Sequence, residues 1–205
     1  MSIGDIRLNV VFFRSNSGTE PVRRWLKSLP ASHKKAIGED IKTVQFGWPL
    51  GMPLVKKINP HLWEVRTNVP DGISRVLFTV DGYLMILIHG FIKERAQYSQ
   101  ITAQTISGGR TVKKNKHIGS GFDDFLLEEG ILAETEATAV KRVIAYQIEK
   151  EMAERRISKS ALARMMRTSR SSLDRLLDPE NHSVTLLTLE SAALALGKKL
   201  KVQLS

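Results

Sequence analysis

The chain has 205 residues, with 31 Lys+Arg against 21 Asp+Glu, a formal net charge of +10 and no cysteine. The lack of cysteine excludes a disulfide framework, a thiolate metal site and a cysteine nucleophile, and an apolar share of 42% excludes a wholly disordered chain. The longest apolar run, Tyr83 to Ile92, is far short of the roughly twenty residues that span a membrane. The N-terminal stretch has no signal-peptide pattern, so the expectation is a cytoplasmic protein with a polyanionic partner.

In chain order, residues 6–13 (IRLNVVFF) read as a strand. Residues 20–29 place Val22, Trp25, Leu26 and Leu29 on one helical face, with Pro21 suited to a first turn. After Pro30, Ser32 is the expected cap of a second helix over 36–46. A loop, GWPLGMP, follows. Then come three strand-like runs at 62–67, 74–80 and 83–91, with turns at VPDG and at Asp81-Gly82. The order β-α-α-β-β-β predicts a small antiparallel sheet with a helical hairpin.

Strand alternation puts Glu64 and Arg66 on one face and Trp63 and Val65 on the other. Arg75 opens the next strand, Lys56 and Lys57 precede the sheet, and His89 and Lys93 lie at and beyond the end of the last strand. Arginines and lysines beside a carboxylate can hold a phosphodiester and neutralise charge developing on it. The same pattern also describes a solvated sheet face with ion pairs. His89 reads as a structural histidine. No clustered metal-ligand set is seen, and no cofactor is expected.

The charge is divided along the chain: residues 1–93 are net +6, 94–117 net +4, 118–136 net −6 and 137–205 net +6. The stretch 94–121 is polar, rich in Gly, Ser and Thr, and reads as a linker. Residues 122–133 place Phe122, Phe125, Leu126 and Leu132 among acids that include Asp123, Asp124, Glu128 and Glu129. This is either a simple packed helix or a partner segment for a basic surface. Residues 137–154 form a long amphipathic helix. Ser158 caps one short helix, and Ser169 caps a second that carries Arg170, Ser171, Ser172 and Arg175. Two short helices across a tight turn make a helix-turn-helix, whose second helix reads the DNA major groove. Thr185 caps a further helix to Leu196, and 199–204 alternates as a short strand.

The ordered motifs FRSNSGTEPVRRWLKSLP, MPLVKKI, LWEVR and SRVLFTVDGYLMILIHGFIK resemble the phage-derived HigB toxins of the RelE/ParE superfamily over about residues 6–93. The resemblance implies a metal-independent, ribosome-dependent mRNA endoribonuclease in which the ribose 2′-oxygen attacks the neighbouring phosphate. It assigns phosphate stabilisation to Arg66 and Arg75, RNA binding or proton transfer to Lys57 and Lys93, and orientation of an arginine to Glu64. After HGFIK the chain continues as ERAQYSQITAQ, where the family has a Lys-rich segment.

The runs SALARMMRTSRSSLDRLLDPEN and TLLTLESAALALGKKLKV resemble the XRE/Cro helix-turn-helix proteins, and within them the HigA-type antitoxins. This implies a homodimer on a palindromic operator, with Ser169, Arg170, Ser171, Ser172 and Arg175 at the DNA. Arg167 stands where the turn often has glycine.

The expected organisation is an α+β toxin-like domain at 1–93, a linker at 94–121, an acidic partner-binding segment at 122–136 and an all-α helix-turn-helix antitoxin domain at 137–205 with a short terminal strand. Phe122, Asp123, Asp124, Phe125, Glu128 and Glu129 form the candidate inhibitory segment. Three functions fit: a toxin–antitoxin module in one chain, a DNA-binding repressor carrying a disabled toxin remnant, or a topoisomerase poison of the ParE kind. No membrane partner is expected.

Overall fold

The computed structural model describes residues 2–3, 7–93, 117–179, 181 and 184–202. A short strand, β1 (Ser2–Ile3), is followed by β2 (Asn9–Phe13), α1 (Pro21–Lys27) and α2 (Ala31–Gly47). Four strands come next: β3 (Val55–Asn59), β4 (Leu62–Val69), β5 (Gly72–Asp81) and β6 (Leu84–Lys93). After the undescribed stretch come β7 (Ile118–Gly121), α3 (Phe122–Glu128), α4 (Leu132–Glu154), α5 (Lys159–Met165), α6 (Arg170–Leu177), α7 (Leu186–Ala195) and β8 (Lys201–Val202). The class is α+β, with a six-stranded sheet first and a helical region after it.

The sheet runs β3-β4-β5-β6-β2-β7. It is mixed rather than wholly antiparallel, because the three meander turns from β3 to β6 bring β6 alongside β2 in the same direction. Two strands of this sheet were not expected, and neither was β1 outside it. β3 occupies the lysine-rich VKKIN run, whose exposed side chains conceal the pattern. β7 lies inside the stretch read as linker, where Ile118-Gly-Ser-Gly pairs antiparallel with β2.

The helices cover one face of this sheet. Val10, Phe12, Val65, Val76, Phe78, Met85 and Leu87 meet Val22, Leu26, Ile37, Ile41 and Val44 in one buried core. Gly90 sits under α1, where any Cβ would fall inside the Trp25 indole. α2 starts five residues earlier than the sequence suggested. Pro30 occupies its N-cap and Ser32 lies within the first turn, since proline both ends α1 and presets the backbone for a new helix.

Phe122, Phe125 and Leu126 of α3 are fully buried in this same core, their rings edge-on to Phe12 at 5.7 and 5.8 Å. A second core joins α4 to α7 through Ile144, Ile148, Leu162, Leu173, Leu176, Ala192 and Leu196. The 23-residue α4 therefore belongs to both, packing its first half on α2 and its second half on the short helices. β1 and β8 form a two-stranded parallel ladder, Ser2 opposite Lys201.

Candidate nucleic-acid interfaces

Register places the predicted side chains on the sheet face away from the helices. Glu64 pairs with Leu77, Arg66 with Arg75, Arg75 with Phe91, and Leu77 with His89. The Glu64 carboxylate is buried; Arg75 donates to it at 2.5 Å and Arg66 Nε lies 3.5 Å away. One carboxylate thus serves two guanidiniums, leaving one positive charge in excess. The Nε atoms of Arg66 and Arg75 are buried and make no hydrogen bond. Buried donors of this kind call for an acceptor.

Lys57 does not join this group. It pairs with Trp63, so alternation turns it to the other side, and Lys56 is the residue opposite Glu64. Lys93 is the register partner of Ile73 at the end of β6. The His89 ring lies 5.8 Å from Phe91 on the arginine face.

Beside Arg66 the sheet edge opens into a cleft of about 740 Å³. β3 stops pairing at Val55–Val65, and one further bond runs from Arg66 N–H to Leu54 O at 2.9 Å. Past that point β4 borders the cleft, together with α2 (Glu39, Asp40, Thr43), the 50–54 loop and α4 (Arg142, Val143, Tyr146). Arg142 crosses from α4 to Asp40 at 2.7 Å and Glu39 at 3.2 Å.

In the second half, α5 and α6 stand across a four-residue turn, each with the expected serine cap: Ala161 N–H donates to Ser158 Oγ at 3.2 Å and Ser172 N–H to Ser169 Oγ at 3.1 Å. Arg170, Ser171 and Arg175 are exposed on α6, while Ser172 is half-buried and accepts from Arg175 at 3.3 Å. Arg170 reaches Ser160 at 3.2 Å. Arg164 and Arg167 are also exposed on the preceding helix and turn; sequence reasoning did not include them. Arg167 adopts φ 54°, the left-handed conformation that glycine takes without strain.

The acidic segment lies on α1 and α2. Arg23 donates to Glu128 at 2.5 Å and Lys27 at 3.2 Å. Lys34 binds Glu129, and Lys35 binds Glu134. Lys42, fully buried, holds both Asp123 and Glu136 at 2.8 Å. Glu20 accepts from the backbone and hydroxyl of Ser120, both at 2.7 Å. Asp124 is exposed in the first turn of α3 and joins none of these pairs. The bonds from Arg23 and then Lys27 hold the Glu128 carboxyl below its ordinary range, and Glu128 in turn raises Arg23. Burial works to raise Glu20, but the Ser120 bonds, with Arg14 and Arg23, outweigh it and lower that carboxyl as well.

The basic partners of these acids were not foreseen. Lys34 and Lys35 are adjacent and Lys42 lies about two turns further along the same helix, but nothing in the sequence pairs that helix with a segment some ninety residues later. Among the described residues no His, Cys, Asp and Glu group could hold a metal ion, and no helix is long and apolar enough to cross a membrane.

Comparison with known families finds two matches. Residues 24–110 match the family described as phage-derived protein Gp49-like, and residues 147–201 match the Cro/C1-type helix-turn-helix DNA-binding domain. The first match runs past Lys93, so the ERAQYSQITAQ stretch that departs from the HigB pattern falls within the Gp49-like span. No curated protein and no solved structure matches the chain. Two parts of the chain are therefore similar to known domains, residues 24–110 to the Gp49-like phage-derived family and residues 147–201 to the Cro/C1-type helix-turn-helix DNA-binding domain.

Proposed function

We propose that the chain is a cytoplasmic toxin–antitoxin module in one polypeptide, a HigB-like mRNA endoribonuclease held in check by a HigA-like half that also binds operator DNA and represses transcription. The observation that carries the first part is the Glu64–Arg66–Arg75 cluster with its surplus positive charge and two buried Nε donors that make no hydrogen bond. A phosphodiester there would satisfy the donors. As the 2′-oxygen attacks, the bond to the departing 5′-oxygen breaks, leaving a 2′,3′-cyclic phosphate and a 5′-hydroxyl. Arg66 and Arg75 stabilise the pentavalent phosphorane, Glu64 orients them, and Lys56 stands nearer than Lys57 to steer the backbone.

Supporting the second part, the acidic segment satisfies the cations of α1 and α2 on the helical side, away from the arginine face. Neutralisation then acts without covering the arginines. The test is full-length protein with Asp123→Asn, Glu128→Gln, Glu129→Gln and Glu134→Gln. Growth arrest with cleavage of translated mRNA is expected, and Arg66→Ala should reverse it. Absence of both effects would leave the second reading, an operator-binding repressor with an inert toxin remnant. That reading is favoured by the placement of Phe122, Phe125 and Leu126 inside the N-terminal core, which makes the acidic segment part of the same packed unit as the sheet.

A further inference from the structure

We propose that the cleft at the edge of β4 binds one nucleoside monophosphate unit, free or as the terminal residue of single-stranded RNA, between the two halves of the chain. The proposal rests on the phosphodiester-facing reading of Arg66 given above.

Four observations converge. The cleft, at about 740 Å³, is within the usual range for small-molecule sites of roughly 300–1,000 Å³. Its rim at Arg66 carries a guanidinium whose buried Nε makes no hydrogen bond and lies 3.5 Å from the Glu64 carboxylate, which is already shared with Arg75. That end favours a phosphate. Thr67, 3% exposed, also lines the cleft, and its hydroxyl has no hydrogen-bond partner. The fourth observation concerns the backbone. A strand residue points its N–H and C=O to the same side, and alternate residues repeat that side. Arg66 N–H points to Leu54 O, so Asn68 presents its donor and acceptor toward the same, now strandless, edge. A donor beside an acceptor is what the hydrogen-bonding edge of a nucleobase requires. Ile73, Val143 and the half-exposed Tyr146 supply apolar and aromatic surface for the ring.

The other occupant suited to a free strand edge is an extended peptide. The open edge covers only Thr67 to Val69 before the turn into β5, which is too short for a ladder, and the arginine end favours phosphate over a peptide group. Two halves of the chain supply the walls, since Arg142, Val143 and Tyr146 come from the helix that also supports α6.

Calorimetric titration of the full chain with AMP, GMP, CMP and UMP, and with a ribotrinucleotide, tests this. Saturable binding of at least one mononucleotide is expected, weakened about tenfold in Tyr146→Ala and in Thr67→Val and unchanged in Lys150→Ala. Tyr146 is exposed, so its loss leaves folding intact. Binding of the trinucleotide alone would make the site an RNA-end site, and tighter mononucleotide binding a free-nucleotide site; both support the proposal. No saturable binding of any mononucleotide or of the trinucleotide at millimolar concentration, or binding lost in Arg170→Ala and retained in Tyr146→Ala, overturns it. The measurement needs no cleavage, so nucleotide binding without ribonuclease activity removes the toxin reading alone, and cleavage without nucleotide binding removes this site alone.

Discussion

Lys42 and Asp123, 81 residues apart, meet at 2.8 Å with the lysine fully buried and the aspartate half-exposed. Glu136 closes the same ammonium from the other side at 2.8 Å, and the Phe46 ring lies 5.1 Å from it. Either acid alone can hold the lysine, so their effects are coupled. Asp123→Asn and Glu136→Gln should each cost under about 1 kcal/mol, while the double variant leaves a buried ammonium without a counter-charge and should cost on the order of 3 kcal/mol. Urea unfolding of the four chains checks this; additive losses would show that the two acids act separately.

The docking is also pH-sensitive in a defined direction. The Glu20 and Glu128 carboxyls are held below their ordinary value of 4.5. A lowered folded pKa contributes stability that is present above the unfolded value and lost as pH falls through the folded one. Stability should therefore be flat near neutrality and decline below pH 4.5, and Glu20→Gln should flatten that decline. Chemical denaturation across an acid series would measure it. An unchanged slope in Glu20→Gln would refute the assignment.

At the turn between α5 and α6, the left-handed Arg167 suggests the opposite kind of change. Arg167→Gly removes the strain but adds freedom to the unfolded chain, so a gain of about 0.5–1 kcal/mol is expected. Thermal unfolding would show a raised Tm, and a lowered Tm would mean that the arginine makes compensating contacts.

On α6, Arg170→Ala should weaken binding to a specific operator by roughly 1–3 kcal/mol, while Ser169→Ala should act mainly by uncapping the helix, at about 1 kcal/mol of stability. An electrophoretic shift assay beside a melting curve separates the two. Equal affinity for unrelated DNA in the parent chain would count against sequence-specific reading.

The arginine face and the helix-turn-helix were legible because each is written in short-range pattern: strand alternation placed Glu64 with Arg66, and serine caps marked both helices at Ser158 and Ser169. β3 was not legible, because an edge strand that exposes Lys56, Lys57 and Ile58 shows no apolar alternation. β7 was hidden for a related reason. Gly119 lies where a Cβ would strike Phe12 O and Glu20, so close backbone approach, not linker flexibility, explains that glycine. Lys57, read as preceding the sheet, lies within β3 opposite Trp63, one register step from Lys56 and so on the other face. The pairing of Lys34, Lys35 and Lys42 with acids beyond residue 120 is tertiary, and sequence periodicity carries no information about it.

The ladder between β1 and β8 joins Ser2 to Lys201, so the chain nearly closes on itself. Joining the β8 end to the β1 end and opening the chain between β6 and β7 would yield a polypeptide in which the helix-turn-helix comes first and the arginine-bearing strands last. Such a circular permutant should keep the same ladders and cores. The order of the sheet and the helix-turn-helix along the chain is then a matter of where it is opened, and a translating ribosome could be made to complete either half first without redesigning the fold.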